Sequence, residues 1–600
     1  MDGRPASEFM IGVNYWPRKT NLRMWKDFNI NDIEDDLNII KRIGIDYLRI
    51  FLLSEDFLNS DGLVNDCSIN KLKIFLEACR KRDLNVFLTF IIGHMSGKNF
   101  NVPWESGNGF YTSAGIEKFA KYVLTVVKNV LNYDNIKGWI LSNELTIFKR
   151  PNRNEQARLL QRTFYLTVKS LAPNSLISSG DVLSDLQYPD KVHDLTDYSG
   201  LHLYFYDDDL IRHRTNYGSL INVYSGGKFP VLLEEFGFSS SQFSDESIAR
   251  FVYEILWTAY VNGAIGAFYW CFSDFNAEYD EPYDWRPLEL GFGLVKSDGT
   301  LKTAARVFNI FKNEISKFQN YKRSRPEINV IIPFFTFKDY TSIPESYGRL
   351  FRSIPGPLLS SLQMSKSFNI QADARYEEFG LEPSKLYIIP SAPVIKASTW
   401  RSLQTIIDNN KSCLYASTFH GSWEVSNFHD SFTHLWKEIF GVSNVTVAGS
   451  KGIHIKNDFK IKFVNNFGNY SKDDEIKIYN AELWTYNIKC ENAYPIIVSE
   501  NGDTLMAARN DNKSIISVIP FEYLHSRDII AGNELFKIYK SIFEFLNLDI
   551  NSSNYGIEYS KMNNDYVTIE FAIKHDPSIL YYDSIHDNKN VIIDPYKLHI

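Results

Sequence analysis

Up to about residue 320 the chain alternates between two patterns of apolar and polar positions, as expected of repeated strand–helix units. Short apolar runs with the length of buried strands occur at Met10–Tyr15, Asp46–Leu52, Leu84–Ile92, Ile136–Ser142, Ser175–Ser179, Tyr198–Tyr204, Pro230–Phe236 and Ala264–Trp270. Between them apolar residues recur at helical spacing. Asp32–Ile43 stops at Gly44, which suits a left-handed position after a helix, and Ser68 reads as the N-cap of Ile69–Arg82. Ser244–Asn262 and Leu301–Tyr321 follow the same pattern. Eight such units in about 320 residues predict a (β/α)8 TIM barrel. An open doubly wound sheet would need a Gly-rich phosphate turn after its first strand, where the chain instead reads Asn14-Tyr15-Trp16-Pro17.

The pattern changes at the polar, basic junction Tyr321-Lys-Arg-Ser-Arg-Pro326, so the barrel is placed at 1–322. Apolar runs at Ile328–Pro333, Asn369–Ala372, Leu386–Ile389, Ser412–Ala416 and Ile515–Pro520, with helical Thr399–Asn409, predict a second α/β domain over 323–547. Residues 444–506 read as β-rich, and Asn533–Leu546 as a helix. The remainder, 548–600, with strand-like Asp565–Ile573 and Leu580–Tyr582, predicts a small β domain. Asp207–Ser225 and Asp274–Pro287 read as long loops.

Composition narrows the function classes. A net charge of −8 over 600 residues without a basic block makes nucleic acid and anionic membrane poor partners. The five cysteines are scattered without a Cys-x-x-Cys pair or His at ligand spacing, so neither a metal nor a disulfide framework is expected. No apolar run reaches the roughly 18 residues that would span a bilayer, and the first ten residues lack a signal-peptide core. The expectation is a cytoplasmic protein.

In a barrel the active site lies at the C-terminal mouth of the strands, so the last residues of each run carry the chemical information. They supply Asn14 and Trp16 from the first run, Arg49 from the second, His94 after the third, and Asn143 with Glu144 after the fourth. The sixth adds His202 and Tyr204, the seventh Glu234 and Glu235, and the eighth Trp270. Taken singly, each has a structural reading: an acid as a helix-cap partner, an arginine in an ion pair, an indole in the core. Gathered at one rim they suit carbohydrate chemistry, in which one carboxyl protonates the departing oxygen and another attacks the anomeric carbon or activates water. Alternation along a strand allows only one of Glu234 and Glu235 to face the mouth. Glu235 is the choice, with Glu234 directed toward helices or loops.

These motifs resemble the retaining glycoside hydrolases of clan A, especially family 5 mannanases and mannosidases. The resemblance rests on Asn143-Glu144, His202-Leu-Tyr204, Glu235-Phe-Gly237 and Phe268-Tyr-Trp270, with Glu144 and Glu235 lying 91 residues apart. Gly12-Val-Asn-Tyr-Trp-Pro17 and Leu290-Gly-Phe-Gly-Leu-Val295 are similar to family 5 and to family 42 β-galactosidases alike. The resemblance covers residues 9 to 315. It implies Glu144 as general acid/base and Glu235 as nucleophile, supported by Arg49 and Tyr204. Asn143 would bind the substrate 2-hydroxyl, while His202 and Trp270, with His94 and Trp16 nearby, line the sugar site. Neither metal nor organic cofactor is implied.

The substrate so implied is a β-mannoside or manno-oligosaccharide, with β-galactoside or β-glucoside as alternatives. The second domain resembles the glutamine-amidotransferase-like, flavodoxin-type domain of family 42 enzymes, which implies oligomer contacts. Its candidate elbow, Ala416-Ser-Thr-Phe-His-Gly421, has no cysteine, so no amidotransferase activity is expected. A reading from another class is a catalytically silent carbohydrate-binding or assembly protein.

Overall fold

A computed structural model describes residues 9–105, 109–181, 195–204, 209–277, 279–280, 283–337, 355–392, 394–409, 412–421, 435–445, 453–527, 532–550, 553–578 and 590–598. Its contacts divide the chain into two compact units. The first comprises Met1–Tyr206, Phe229–Tyr321 and Asp594–Ile600; the second comprises Asp207–Lys228 and Lys322–Ile593.

The first unit is the barrel. Its strands are β1 (Met10–Asn14), β2 (Tyr47–Phe51), β3 (Asn85–Ile92), β4 (Ile136–Asn143), β5 (Leu176–Ser178), β6 (Ser199–His202), β7 (Val231–Phe236) and β8 (Gly266–Tyr269). They pair in the order β5-β4-β3-β2-β1-β8-β7-β6, every pair parallel. A backbone hydrogen bond from Asp197 N to Ile177 O, 2.8 Å, ties β5 to the segment entering β6. Each of the eight apolar runs therefore contains a barrel strand.

The barrel interior shows why small and large residues alternate between facing strands. Met10, Phe87, Ile140, Tyr198, Leu232 and Phe268 form one buried cluster. Two glycines make room for its rings: a Cβ on Gly12 would lie 2.1 Å from Phe268, and one on Gly138 would lie 2.2 Å from Phe87. Complete burial of each such ring contributes about 1.5–3 kcal/mol.

Around the strands run α1 (Ile30–Arg42), α2 (Asp66–Arg80), α3 (Ser113–Val130), α4 (Asn154–Lys169), α6 (Asp245–Val261) and α7 (Thr303–Ile315), while α5 (Leu210–Ser225) falls between β6 and β7 in the chain. Gly44, after α1, has φ +92°, as expected of its position. Helix α2 begins earlier than the periodicity suggests. Asn65, not Ser68, is its N-cap and accepts from Cys67 N, because Ser68 is engaged with Asp56 O at 2.6 Å. The expected loop Asp207–Ser225 is helix α5 from Leu210 onward. Nine of its residues are buried, eight of them consecutive from Tyr217 to Tyr224, so no polar face betrays the helix in the sequence. It is grouped with the second unit.

The second unit is built on β9 (Ile328–Ile332), β10 (Ala372–Tyr376), β11 (Leu386–Ala392), β12 (Cys413–Thr418), β13 (Ile453–Phe463), β14 (Glu475–Thr485), β15 (Ala493–Ser499), β16 (Thr504–Arg509) and β17 (Ser514–Ser517). Strands β10-β9-β11-β12-β17 are parallel in flavodoxin order, and β16-β15-β13-β14 extend the sheet antiparallel. Strand β10 begins where the expected run Asn369–Ala372 ends. A separate small sheet pairs Lys322–Arg323, β18 (Ile557–Asn563), β19 (Thr568–Lys574) and β20 (Asn590–Ile593). The expected strand Leu580–Tyr582 lies outside the described residues.

Candidate active site

Strand β4 is buried from Gly138 to Asn143 and then stops abruptly. Glu144 takes the left-handed conformation, φ 50° and ψ 41°, and its amide donates to Gly180 O at 2.9 Å. A non-glycine residue held there costs about 1–3 kcal/mol, which only the surrounding contacts can offset. Gly93, at the end of β3, permits the turn, since a Cβ on it would lie 2.7 Å from Leu145 Cα. The turn ends the strand, and the half-buried Glu144 lines the cleft.

Glu235 is placed by an irregularity in β7. Leu233 pairs with Leu201 while Glu235 pairs with His202, and on the other side Leu233 pairs with Ala267 while Phe236 pairs with Tyr269. Both ladders thus skip a residue of β7, the signature of a β-bulge. The bulge breaks the alternation assumed from the sequence and brings both glutamates toward the barrel axis. Glu234 therefore does not face helices or loops. It is fully buried and accepts from Tyr198 Oη at 2.7 Å, with His202 Nε2 at 3.3 Å. Gly200 leaves the space, because a Cβ there would lie 2.4 Å from the Glu234 carboxyl.

Around Glu235 the donors converge. The fully buried Arg49 binds Glu235 Oε1 through Nη1, and Tyr204 Oη donates to Oε2 at 3.0 Å. The rest of the guanidinium is also engaged: Nε donates to Thr89 Oγ1 at 3.2 Å, Nη1 to Asn14 Oδ1 at 3.1 Å and Nη2 to Asn143 Oδ1 at 2.7 Å. Asn14 Nδ2 in turn donates to Glu234 O at 3.0 Å, pinning the bulge. Burial pushes the Glu235 carboxyl upward and the negative charge of Glu144 adds to this, while the charges of His202 and Arg49 oppose it. Burial and the neighbouring carboxylates hold the Tyr204 phenol protonated, so it stays a donor.

His202 lies below the cleft. Its Nδ1 is 2.9 Å from Glu144 Oε1 and 3.5 Å from Glu235 Oε1. Burial disfavours its charge, but Glu235, Glu144 and Glu234 together outweigh that and push its pKa to about 10. Glu234 is the mirror case: burial opposes its charge, yet the hydrogen bonds of His202 and Tyr198 and the Arg49 charge hold its carboxyl below the ordinary value. A carboxylate oxygen from each of Glu144 and Glu235 and a ring nitrogen of His202 all lie within 4.8 Å of one another. That spacing would admit a metal ion, and the Arg49 guanidinium bound to Glu235 is a fixed positive charge that opposes one.

The cleft itself encloses about 220 Å³ and is lined by His94, Met95, Ser96, Gly97, Asn143, Glu144, Tyr204, Glu235, Trp270, Arg286, Leu288, Glu289 and Phe292. Of the residues expected from the sequence, Glu144, Glu235, Asn143, Tyr204, Trp270 and His94 meet there. Asn143 is already committed, since its Nδ2 donates to His94 O at 2.6 Å and its Oδ1 accepts from Arg49. His202 does not line the cleft as expected, because its ring is covered by the three glutamates. Trp16 does not either: it is fully buried, stacks on Phe51 at 5.1 Å and directs Nε1 to Met95 Sδ.

Arg286, Glu289 and Ser96 carry no mark in the sequence, and Phe292 stands out there only as part of Leu290-Gly-Phe-Gly-Leu-Val295. They come from loops and a 3-10 turn, Pro287–Gly291, beyond the strand ends that periodicity marks. Lys302 anchors this wall by donating to Asp274 Oδ1 at 2.6 Å, Ser240 Oγ at 3.0 Å and Gly291 O at 3.0 Å.

A barrel with a flavodoxin-like unit and a small sheet is a fold that this chain shares with solved structures of a β-mannosidase and of β-galactosidases. No family model and no curated protein matches the chain. Among solved structures it is similar to an exo-β-1,4-mannosidase from Opitutaceae bacterium strain TAV5, at 17% identity and TM-score 0.74 over 90% of this chain and 96% of that one. A cold-adapted β-galactosidase from Rahnella sp. R3 is similar at 11% identity and TM-score 0.69, over 95% of this chain and 94% of that one. A GH5_18 protein from Streptomyces cattleya, solved with GlcNAc, is similar at 19% identity and TM-score 0.53, over 62% of this chain and 94% of that one. At these identities the likeness is one of fold. Among the described residues, no helix is long and apolar enough to cross a membrane.

Proposed function

We propose that the protein is a retaining β-glycosidase acting on β-mannosides or manno-oligosaccharides, with Glu235 as nucleophile and Glu144 as acid/base. The observation that carries this is the approach of the Glu144 and Glu235 oxygens to within 4.8 Å, with Arg49 and Tyr204 both donating to the Glu235 carboxylate. Carboxyl groups about 5–5.5 Å apart suit covalent catalysis, whereas about 6.5–9.5 Å leaves room for the water of an inverting enzyme. Glu235 attacks the anomeric carbon while Glu144 gives its proton to the departing oxygen. Water, deprotonated by Glu144, then breaks the glycosyl ester and frees Glu235. Trp270 supplies an aromatic wall for the sugar ring.

The mannoside choice is supported by the similarity over nine-tenths of the chain to the exo-β-1,4-mannosidase. A β-galactoside is the alternative, favoured by the comparable extent of the β-galactosidase likeness. The second unit enters as a non-catalytic partner domain: Cys413 lies inside β12, and burial pushes its thiol up, away from the reactive thiolate. The test is a panel of p-nitrophenyl β-glycosides and β-mannan, followed by trapping with the 2-deoxy-2-fluoro analogue of the best substrate. The trapped sugar should be found on the peptide carrying Glu235. Absence of hydrolysis across the panel would favour a carbohydrate-binding protein instead, and an inverted product anomer would refute the covalent route.

A further inference from the structure

We propose that Glu234 is a positioning residue that fixes His202 with both ring nitrogens protonated, so that Nδ1–H faces Glu144 and Glu235 together. The inference rests on the assignment of those two glutamates as the reacting pair, and it concerns a residue that the strand alternation hides.

The geometry leaves His202 little choice. Its Nε2 faces Glu234 Oε2 at 3.3 Å, and its Nδ1 faces Glu144 Oε1 at 2.9 Å and Glu235 Oε1 at 3.5 Å. A neutral imidazole offers one donor and one lone pair, and here the lone pair would face a carboxylate oxygen. Protonation at both nitrogens removes that repulsion, in keeping with a pKa near 10. Among the described residues, the titratable or charged groups that face the ring or its partners are Arg49 from β2, Glu144 after β4, Tyr198 and Tyr204 flanking β6, and Glu234 and Glu235 from β7. Of these only Glu234 meets Nε2. Its other oxygen is held by Tyr198 Oη at 2.7 Å, its backbone by Asn14, and its space by the missing side chain of Gly200. A carboxylate so completely supported beneath a cleft it does not enter acts through the ring it binds.

The arrangement matters because the reaction moves negative charge. Before glycosyl transfer the charge is on Glu235 and the proton on Glu144. After transfer Glu235 is esterified, its electron pair forming the new bond to carbon, and Glu144 has released its proton to the leaving oxygen. One N–H lying between the two acids serves the charge in both states with only a small rotation of the ring. Preorganised donors of this kind need little reorganisation as charge develops.

The test uses the full chain with 15N-labelled histidine, the His202 resonances being identified by their loss in His202→Gln. In the wild type His202 should remain doubly protonated from pH 5 to pH 8. In Glu234→Gln it should lose a proton within that range, and kcat should fall by about tenfold or more, with a new ionisation in the pH profile. Should Glu234→Gln fail to fold, Tyr198→Phe weakens the same support and should lower the His202 midpoint to a smaller extent. A wild-type His202 that titrates near 6.5, or variants that leave its protonation unchanged, would overturn the proposal. An activity loss without a new ionisation would reduce Glu234 to a structural role. The histidine spectra decide this even if the chain hydrolyses no glycoside, so failure of the enzymatic reading is seen separately.

Discussion

Replacing Arg49 by methionine keeps much of the side-chain volume and removes the cation that holds Glu235. In the folded protein Arg49 is fully buried, and its guanidinium contacts Glu235, Asn143, Asn14 and Thr89. Breaking a buried pair by removing one partner costs about 3–5 kcal/mol, because the remaining charge is uncompensated. Glu235 can limit that cost by taking a proton, since burial already raises its carboxyl. The loss should therefore depend on pH. In Arg49→Met the folded pKa of Glu235 moves further above its unfolded value, so the folded state binds the proton more tightly. Stability from this proton is fully present below the unfolded pKa, about 4.3. It is lost as pH rises through the folded value, at about 1.4 kcal/mol for each pKa unit of added shift. Near pH 5 the deficit is mostly the neutral hydrogen bonds to Asn143, Asn14 and Thr89, about 1 kcal/mol each at most.

Thermal unfolding of wild type and Arg49→Met at pH 5 and pH 8 reads this directly. The Tm deficit of the variant should be larger at pH 8 by about 2–4 °C for each pKa unit of added shift. A deficit that is the same at both pH values would show that Arg49 does not stabilise an ionised Glu235, and the electrostatic reading of the site would fall with it.

Three further substitutions probe other parts of the argument. Tyr204→Phe deletes the 3.0 Å hydrogen bond to Glu235, and steady-state kinetics should show kcat/KM reduced by about 10²-fold or more, with Tm nearly unchanged. Glu144→Ala should abolish turnover of substrates with poor leaving groups while activated aryl glycosides still glycosylate Glu235, and added azide should restore their release as a glycosyl azide of retained configuration. Gly138→Ala drives a methyl to 2.2 Å from the Phe87 ring, and calorimetry should show a loss of about 1–3 kcal/mol with no change in KM of the residual folded enzyme.

The eight strands were legible because a parallel barrel strand is apolar on both faces, and an uninterrupted run followed by polar residues marks its mouth end. That rule located Arg49, Asn143, Glu144, Tyr204, Glu235 and Trp270. It failed where a position depends on register, not on residue type. The β7 bulge is invisible to any pattern of period two, although two adjacent acids in a strand this apolar were themselves a sign that simple alternation could not hold. Trp16 was misplaced because an indole at a strand end suits a core and a cleft equally, and its partners Phe51 and Met95 come from elsewhere in the chain. Glu289 and Arg286 reach the cleft through loop conformations with no periodic signature. Helix α5 was read as a loop for the converse reason: burial on all sides erases the amphipathic stripe.

The charges at the mouth constrain the chemistry more tightly than any one residue does. Three carboxylates, Glu144, Glu234 and Glu235, meet two cations, Arg49 and His202, in a setting where all but Glu144 are buried. An unbalanced buried charge is expensive: burial and the Glu144 charge raise the Glu235 carboxyl, while His202 and Arg49 oppose them. The proposed retaining mechanism requires one proton on the Glu144–Glu235 pair at the start of its cycle: an acid ready to donate and a carboxylate ready to attack. In that mechanism glycosyl transfer preserves the charge balance, because the proton leaves with the aglycone oxygen while esterification removes the charge of the nucleophile. Glu234 enters this balance through His202, because in the proposed arrangement its removal takes the ring proton with it and leaves Arg49 as the cation beside the pair. The carboxylate that the strand pattern directs away from the site thus acts, in the proposed mechanism, on the charge of the ring that lies against both Glu144 and Glu235.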